Sequence, residues 1–258
     1  MFKLIKYFFV IFLMTVTSSF ADLSDILKKG EVKIAVPEAF APFGSVGKTG
    51  EHEGYDVDVA KLIAKDLGVK LKIVPVVSKQ RIPFLETNKV DLVISTMGAN
   101  PKRAKSINFS SAYAPFYSGV FAPSNVKIHN YDDLDGLTVG VTGGTLEDLE
   151  LTKRAPKGTK ITRFGDNAAT LSAIKSKQVQ VLVSGNTVAA SITDSDPNFD
   201  LQRKFIIKDS PCFIGIKKGN EDLLRWVNVF ILHKKLGGDL NKVSQKWLGQ
   251  DLPPLPSL

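Results

Sequence analysis

Short apolar runs alternate along the chain with longer stretches whose apolar residues return every three or four positions, the pattern of strands following helices. Val32 to Val36 reads as a first strand. Gly54-Tyr55-Asp56 opens a helix with Val59, Leu62, Ile63 and Leu67 on one face, stopped by Gly68. Val69 to Val76 is the second strand. Ser78-Lys79-Gln80-Arg81-Ile82-Pro83 starts the next helix, with Ser78 as its cap and Asn88 at its end. Val90 to Ile94 has the apolar character of a parallel strand buried on both faces. A loop of small residues follows, Ser95-Thr96-Met97-Gly98-Ala99, and then Asn100 and Pro101 suit the cap and first position of a helix. This βαβαβ succession predicts an α/β lobe with a parallel sheet, whose ligands bind beyond the carboxyl ends of the strands.

The second half repeats the alternation. After Phe109 the segment SSAYAPFYSGVFAP reads as a bend and then an extended run, Ser118 to Ala122. A turn at Asp132–Gly136 precedes a strand from Thr138 to Val141, the turn Thr142-Gly143-Gly144-Thr145, and a helix from Leu146. Lys160 to Phe164 is a strand, and Asp166 caps a helix carrying Ala168, Leu171 and Ile174. Val179 to Val183 is a buried strand ending in Ser184-Gly185-Asn186. This second α/β lobe ends near Ile207, and Cys212 to Ile216 crosses back. Helices at Glu221–Lys235 and Asp239–Trp247 close the chain before an irregular DLPPLPSL tail. The expected division is residues 22–117 with 213–258 as one discontinuous lobe and 118–212 as the other.

The N-terminus adds a location. Lys3 and Lys6, an apolar run from Tyr7 to Val16, and small residues at Ser19 and Ala21 make residues 1–21 a secretory signal peptide. Removing it lowers the net charge from +8 to +6, and the basic residues are spread along the chain, which speaks against nucleic acid. Cys212 is the only cysteine, so no intramolecular disulfide supports the fold, and it reads as a small buried hydrophobe. His52, His129 and His233 lack the spacing of a metal site, and no cofactor is expected.

Chemistry concentrates where strands meet helices. A strand, a loop and a helix N-terminus around Ser95–Arg103 would aim backbone N–H groups, the Thr96 hydroxyl and the Arg103 guanidinium at one carboxylate. Arg103 reads equally well as a solvated helix arginine. Thr142–Thr145 offers a second such cradle, without the lysine and glycine spacing of a phosphate-binding loop. Phe40 and Phe43 could wall a ligand or belong to the core.

The order of these marks resembles one family. APFG, GYDVDVAKLIAKDLGV, KVDLVIS, PKRAKSINFS, the strand–GGT turn and the closing KWLG together resemble the polar-amino-acid group of periplasmic solute-binding proteins that feed ABC importers. The resemblance implies a type II periplasmic-binding-protein fold, two lobes joined by two crossing strands and closing on a small ligand. It implies a monomer that captures an amino acid or related small (di)carboxylate and delivers it to a permease in the inner membrane. By position, Arg103 would clamp the ligand carboxylate with Thr96, Gly98 and Thr145, and Phe40 would pack on the ligand. Ser95, Gly185 and Asn186 fall on the same rim. The Ser78–Pro83 segment looks most like glutamate/aspartate binders, in which the matching serine and arginine, here Ser78 and Arg81, hold a side-chain carboxylate. Two positions depart. Gly185 stands where the family places an aspartate for the ligand ammonium, so Glu38, Asp166 or Asn186 substitutes, or the ligand has no α-amino group. Pro37 stands where acidic-amino-acid binders can carry a further arginine. The rival reading is an enzyme on the same fold, similar to cyclohexadienyl dehydratase, for which Glu38, Glu147 and Asp166 are the nearby acids.

Overall fold

The computed structural model describes residues 23–256; the expected leader lies outside them. In chain order the elements begin with α1 (Leu23–Lys29), β1 (Glu31–Pro37), a small hairpin of β2 (Ser45–Val46) and β3 (His52–Glu53), and α2 (Tyr55–Leu67). Then come β4 (Lys70–Val76), α3 (Arg81–Glu86), β5 (Leu92–Met97), β6 (Ile107–Ala114) and β7 (Tyr117–Ala122). They continue with β8 (Thr138–Thr142), α4 (Leu146–Arg154), β9 (Lys160–Phe164), α5 (Asn167–Lys175), β10 (Val181–Gly185) and α6 (Asn186–Ser195). The last are β11 (Gln202–Asp209), β12 (Cys212–Lys217), α7 (Glu221–Leu236) and α8 (Asp239–Leu248).

The strands form two five-stranded sheets, β4-β1-β5-β12-β6 and β11-β7-β10-β8-β9. Each sheet is the middle layer of a lobe, because alternate residues of its strands feed opposite cores. In the first lobe Ile34 and Leu92 pack under α2 and α7, while their neighbours Ala35 and Val93 pack with Leu85 of α3. In the second, Val181 and Val183 pack with Leu151 of α4, and Leu182 packs with Ile174 of α5 and Ile192 of α6. Strand β5 lies at the centre of its sheet and is buried along its whole length, as its apolar run requires.

The sheets expected to be parallel are mixed. β4, β1 and β5 pair in parallel, as do β9, β8 and β10, but β12 runs antiparallel to β5 and β6, and β7 antiparallel to β10 and β11. The antiparallel strands are those that pass between lobes. They enter a sheet directly from the other half of the molecule, with no helical crossover to force a parallel direction. Pro115-Phe116 joins β6 to β7 and Ser210-Pro211 joins β11 to β12. The two crossings are tied to each other where Ser210 N donates to Phe116 O at 2.9 Å.

Local expectations fared unevenly. Gly54 and Gly68 bound α2, with Gly68 left-handed (φ 68°), and Asp166 Oδ1 caps α5 by accepting from Ala169 N at 2.8 Å. No α-helix starts at Asn100: Asn100 Oδ1 accepts from Arg103 N (2.7 Å), and the chain makes only a 3-10 turn at Arg103–Lys105. Ser78 is not a helix cap either. It opens a 3-10 turn in which Val77 N donates to Gln80 Oε1 at 3.0 Å. Ser95, Thr96 and Met97, expected in a loop, continue β5, and Ile107–Ala114, expected to bend after Phe109, is one strand.

Candidate functional site

The cleft between the lobes is lined from both sides. Phe40, Arg81, Thr96, Gly98 and Arg103 come from the first lobe; Thr142, Thr145, Leu146, Glu147, Asn167, Val183, Ser184 and Gly185 come from the second, and Phe116 and Ser210 from the crossings. The lobes are closed on this cleft. Arg103 Nη2 donates to Gly144 O across the gap at 3.0 Å. Lys79 of the first lobe lies over the Gly143-Gly144 turn, where a Cβ on either glycine would come within 2.8 Å of its side chain. A Cβ on Gly98 would overlap Leu146 and Ser210, so the absence of a side chain there permits the approach.

Part of each expected N–H cradle is taken by the chain itself. Asn100 holds Arg103 N, and on the other side Asp148 Oδ2 accepts from Gly144 N (3.0 Å) while Thr145 Oγ1 accepts from Asp148 N (3.2 Å). This reciprocal capping takes the Gly144 and Asp148 donors. Side chains supply the charge instead.

Arg103 is 9% exposed, with Nη1 donating to Gly98 O at 2.8 Å, so it is no solvated surface arginine. Arg81 begins α3, is 5% exposed, and is steadied by Nε donating to Ser95 Oγ at 3.1 Å. Burial, then the adjacent charge of Arg81, push the Arg103 guanidinium down to about 10, with Glu147 opposing. Burial likewise lowers Arg81, opposed by Asp56 and Glu147. An arginine side chain keeps its proton in proteins, so these are two like charges held in one buried space.

Beneath them Asp56 organises the end of β5. Its Oδ2 accepts from Thr96 N (2.8 Å) and its Oδ1 from the Tyr113 hydroxyl (2.6 Å), while the Tyr55 hydroxyl donates to Tyr113 O. Thr96 is thereby held at φ 42°, a left-handed conformation that a β-branched residue rarely adopts. Among the described residues its buried hydroxyl has no partner, nor has that of Ser78, which borders an adjoining space shared with Arg81 and Phe40. Burial raises the Asp56 carboxyl to about 7, against the lowering pull of Tyr113, Thr96 and Arg81. Aromatic rings close the side: Phe40 stacks on Phe43 (centroids 5.7 Å) and meets Phe116 edge-on at 6.2 Å.

The structure thus gathers Phe40, Arg81, Thr96, Gly98, Arg103, Thr145 and Gly185 around one cavity and Ser78 beside it. Ser95 stands behind Arg81, and Asn186 turns away, its Oδ1 accepting from Tyr117 N at 3.2 Å. Of the acids proposed to replace an aspartate at 185, Glu38 is exposed and Asp166 caps α5 through Oδ1, and both border the adjoining space beside Arg81. Glu147 is the acid that lines the cavity. Phe116, Ser210 and Leu146 were not singled out by the sequence, because their place depends on how the crossings fold. Cys212 is fully buried in the first lobe's core, and burial pushes its thiol up. Among the described residues no cluster of His, Cys, Asp or Glu is arranged to hold a metal.

Two α/β lobes, two short crossings and a charged cleft define a hinged solute-binding protein. Residues 32–250 match the family of bacterial extracellular solute-binding proteins, family 3, and the chain belongs to that family. The glutamine-binding protein GlnH of an ABC transporter in Bacillus subtilis is 30% identical over 207 residues, 79% of this chain and 75% of the relative. A solute receptor for L-cysteine from Neisseria gonorrhoeae superimposes with a TM-score of 0.82 at 31% identity, covering 88% of this chain and 94% of that one. The ancestral amino acid-binding protein AncCDT-1, a precursor of cyclohexadienyl dehydratase, gives 0.81 at 30%, covering 87% and 98%.

Proposed function

We propose that this chain works outside the cytoplasmic membrane, in the periplasm, capturing an amino acid or related small dicarboxylate and delivering it to an ABC-type permease. The observation that carries this reading is the pair of buried guanidiniums, Arg81 and Arg103, facing one cavity with the unpartnered hydroxyls of Thr96 and Ser78 at hand. Two confined cations repel each other, and an anion between them relieves that cost while filling donors that burial has stripped of water. Arg103 takes one carboxylate with Thr96, and Arg81 with Ser78 takes a second. Glutamine, L-cysteine and amino acids at large are named for the relatives, which supports a small amino-acid-like solute.

A thermal-shift screen of amino acids, matched dicarboxylates and keto acids tests this, since a bound solute raises the melting temperature by mass action. Arg81→Ala is expected to weaken dicarboxylates by roughly 10- to 100-fold, the worth of a charged hydrogen bond, and monocarboxylates far less. Equal losses for both would remove Arg81 from the second carboxylate.

The enzymatic reading is favoured by one observation, the likeness to a precursor of a dehydratase. That precursor is itself described as an amino acid-binding protein. We hold the chain to be a binder with no catalytic step. Mass spectrometry of bound solutes after long incubation should return them unchanged; a product differing by loss of water or carbon dioxide would make it an enzyme.

A further inference from the structure

The proposed capture of a carboxylate leaves one question about the solute, whether it carries an amine, and the cleft contains a group that bears on it. Glu147 sits in the first turn of α4, is 7% exposed, and lines the cavity opposite the two arginines. One oxygen is held, Oε1 accepting from Ser118 Oγ at 2.7 Å. Among the described residues no Lys, Arg or His nitrogen lies within 4.0 Å of its carboxylate. A carboxylate buried to this extent is costly without a cation against it. Its role as a helix-terminal acid would be served equally well with the side chain turned to solvent. Ser118 instead fixes it toward the cavity.

The other candidates for receiving a cation fall away on geometry. Asp56 lies beneath Thr96 with both oxygens engaged. Asp166 caps α5 and Glu38 is exposed; both border the adjoining space beside Arg81 and do not line this cavity, and the end of β10 carries Gly185, against which the Phe116 ring is packed so closely that no side chain fits.

We infer that Glu147 receives a positively charged amine of the solute, so that the cleft takes an α-amino dicarboxylate in preference to the same diacid without its amine. With Arg103 on one carboxylate, Arg81 on the other and Glu147 on the ammonium, every ionised group in the cavity gains a partner. The coulombic reach of Glu147 to both arginines fits this arrangement. The inference rests on the carboxylate reading of the two arginines.

Calorimetry with L-glutamate and with glutarate, its des-amino counterpart, separates the two claims. The wild-type protein should prefer glutamate at least ~10-fold, the lower end of a charged hydrogen bond. Glu147→Gln keeps an oxygen for Ser118, so the melting temperature of the empty protein should hold. In that variant glutamate should weaken ~10-fold or more, glutarate should bind no worse, and the preference should vanish. An unchanged glutamate-to-glutarate ratio in the variant, or a wild type that prefers glutarate, overturns the role of Glu147 while the carboxylate reading stands. Should only neutral amino acids bind, the second carboxylate is wrong, and the same ratio taken with glutamine and its des-amino analogue decides on Glu147. If no carboxylate binds at all, both claims fall.

Discussion

Gly185 and Phe116 form a matched pair. The glycine ends β10, and the phenylalanine belongs to the first crossing between lobes. A Cβ at 185 would overlap the Phe116 ring at Cζ and Cε2, with Cε1 at 2.9 Å. Phe116 also meets Phe43 edge-on at 5.9 Å, so the ring has a packed surface behind it and little room to retreat. Gly185→Ala should therefore destabilise the protein by about 1–3 kcal/mol, the usual cost of overpacking. Phe116→Ala should absorb the added methyl, so urea titrations of both single variants and the double variant should show strong non-additivity. Strictly additive losses would mean the two residues do not compete for one space. Residue identity in the sequence marked Gly185 as unusual, yet gave no reason for it, since the ring that explains it lies far away in the chain.

The end of β5 shows how an element is tuned by a group outside it. Thr96 keeps its left-handed backbone because Asp56, at the start of α2, accepts its N–H. That carboxyl is fully buried, and burial raises it from its ordinary range to about 7. Between about pH 4 and pH 7 the unfolded chain has released this proton while the folded chain still holds it. The stability contributed by the neutral form is complete below the unfolded value and is lost as pH climbs through the folded one. The loss is on the order of 4 kcal/mol at most. Asp56→Asn retains an acceptor for Thr96 and has no proton to lose, so its unfolding free energy should fall less than that of the wild type between pH 4 and pH 8. Parallel pH profiles for the two proteins would refute the assignment. The apolar runs made β5 and the start of α2 readable from sequence, and Gly54 and Gly68 fixed the ends of α2. The 3-10 turns at Ser78 and Arg103 were not readable. Asn100 looks the same in sequence whether it caps a full helix or a single turn, and the choice is made by where Arg103 must reach.

Across the whole molecule, closure involves positions without side chains and a hydrogen bond across the gap. Gly98, Gly143 and Gly144 let the lobes meet, and Arg103 spans them by donating to Gly98 O on its own side and Gly144 O on the other. The alternation of strands and helices announced two α/β lobes, and the order of motifs pointed to the family. The antiparallel entry of β7 and β12 did not show, because strand direction at a crossing is a property of the other lobe's position. For the same reason Phe116 and Ser210 escaped notice as lining residues: only the hinge brings them to the cavity. On the proposed reading Arg103 would join the solute's carboxylate to the closing of the lobes, and its replacement is the most direct trial of the account. Titration calorimetry of Arg103→Ala against the best solute from the thermal-shift screen should show binding weakened at least ~100-fold, about the upper worth of a charged hydrogen bond, with the empty variant still unfolding cooperatively. An affinity equal to that of the wild type would contradict the account.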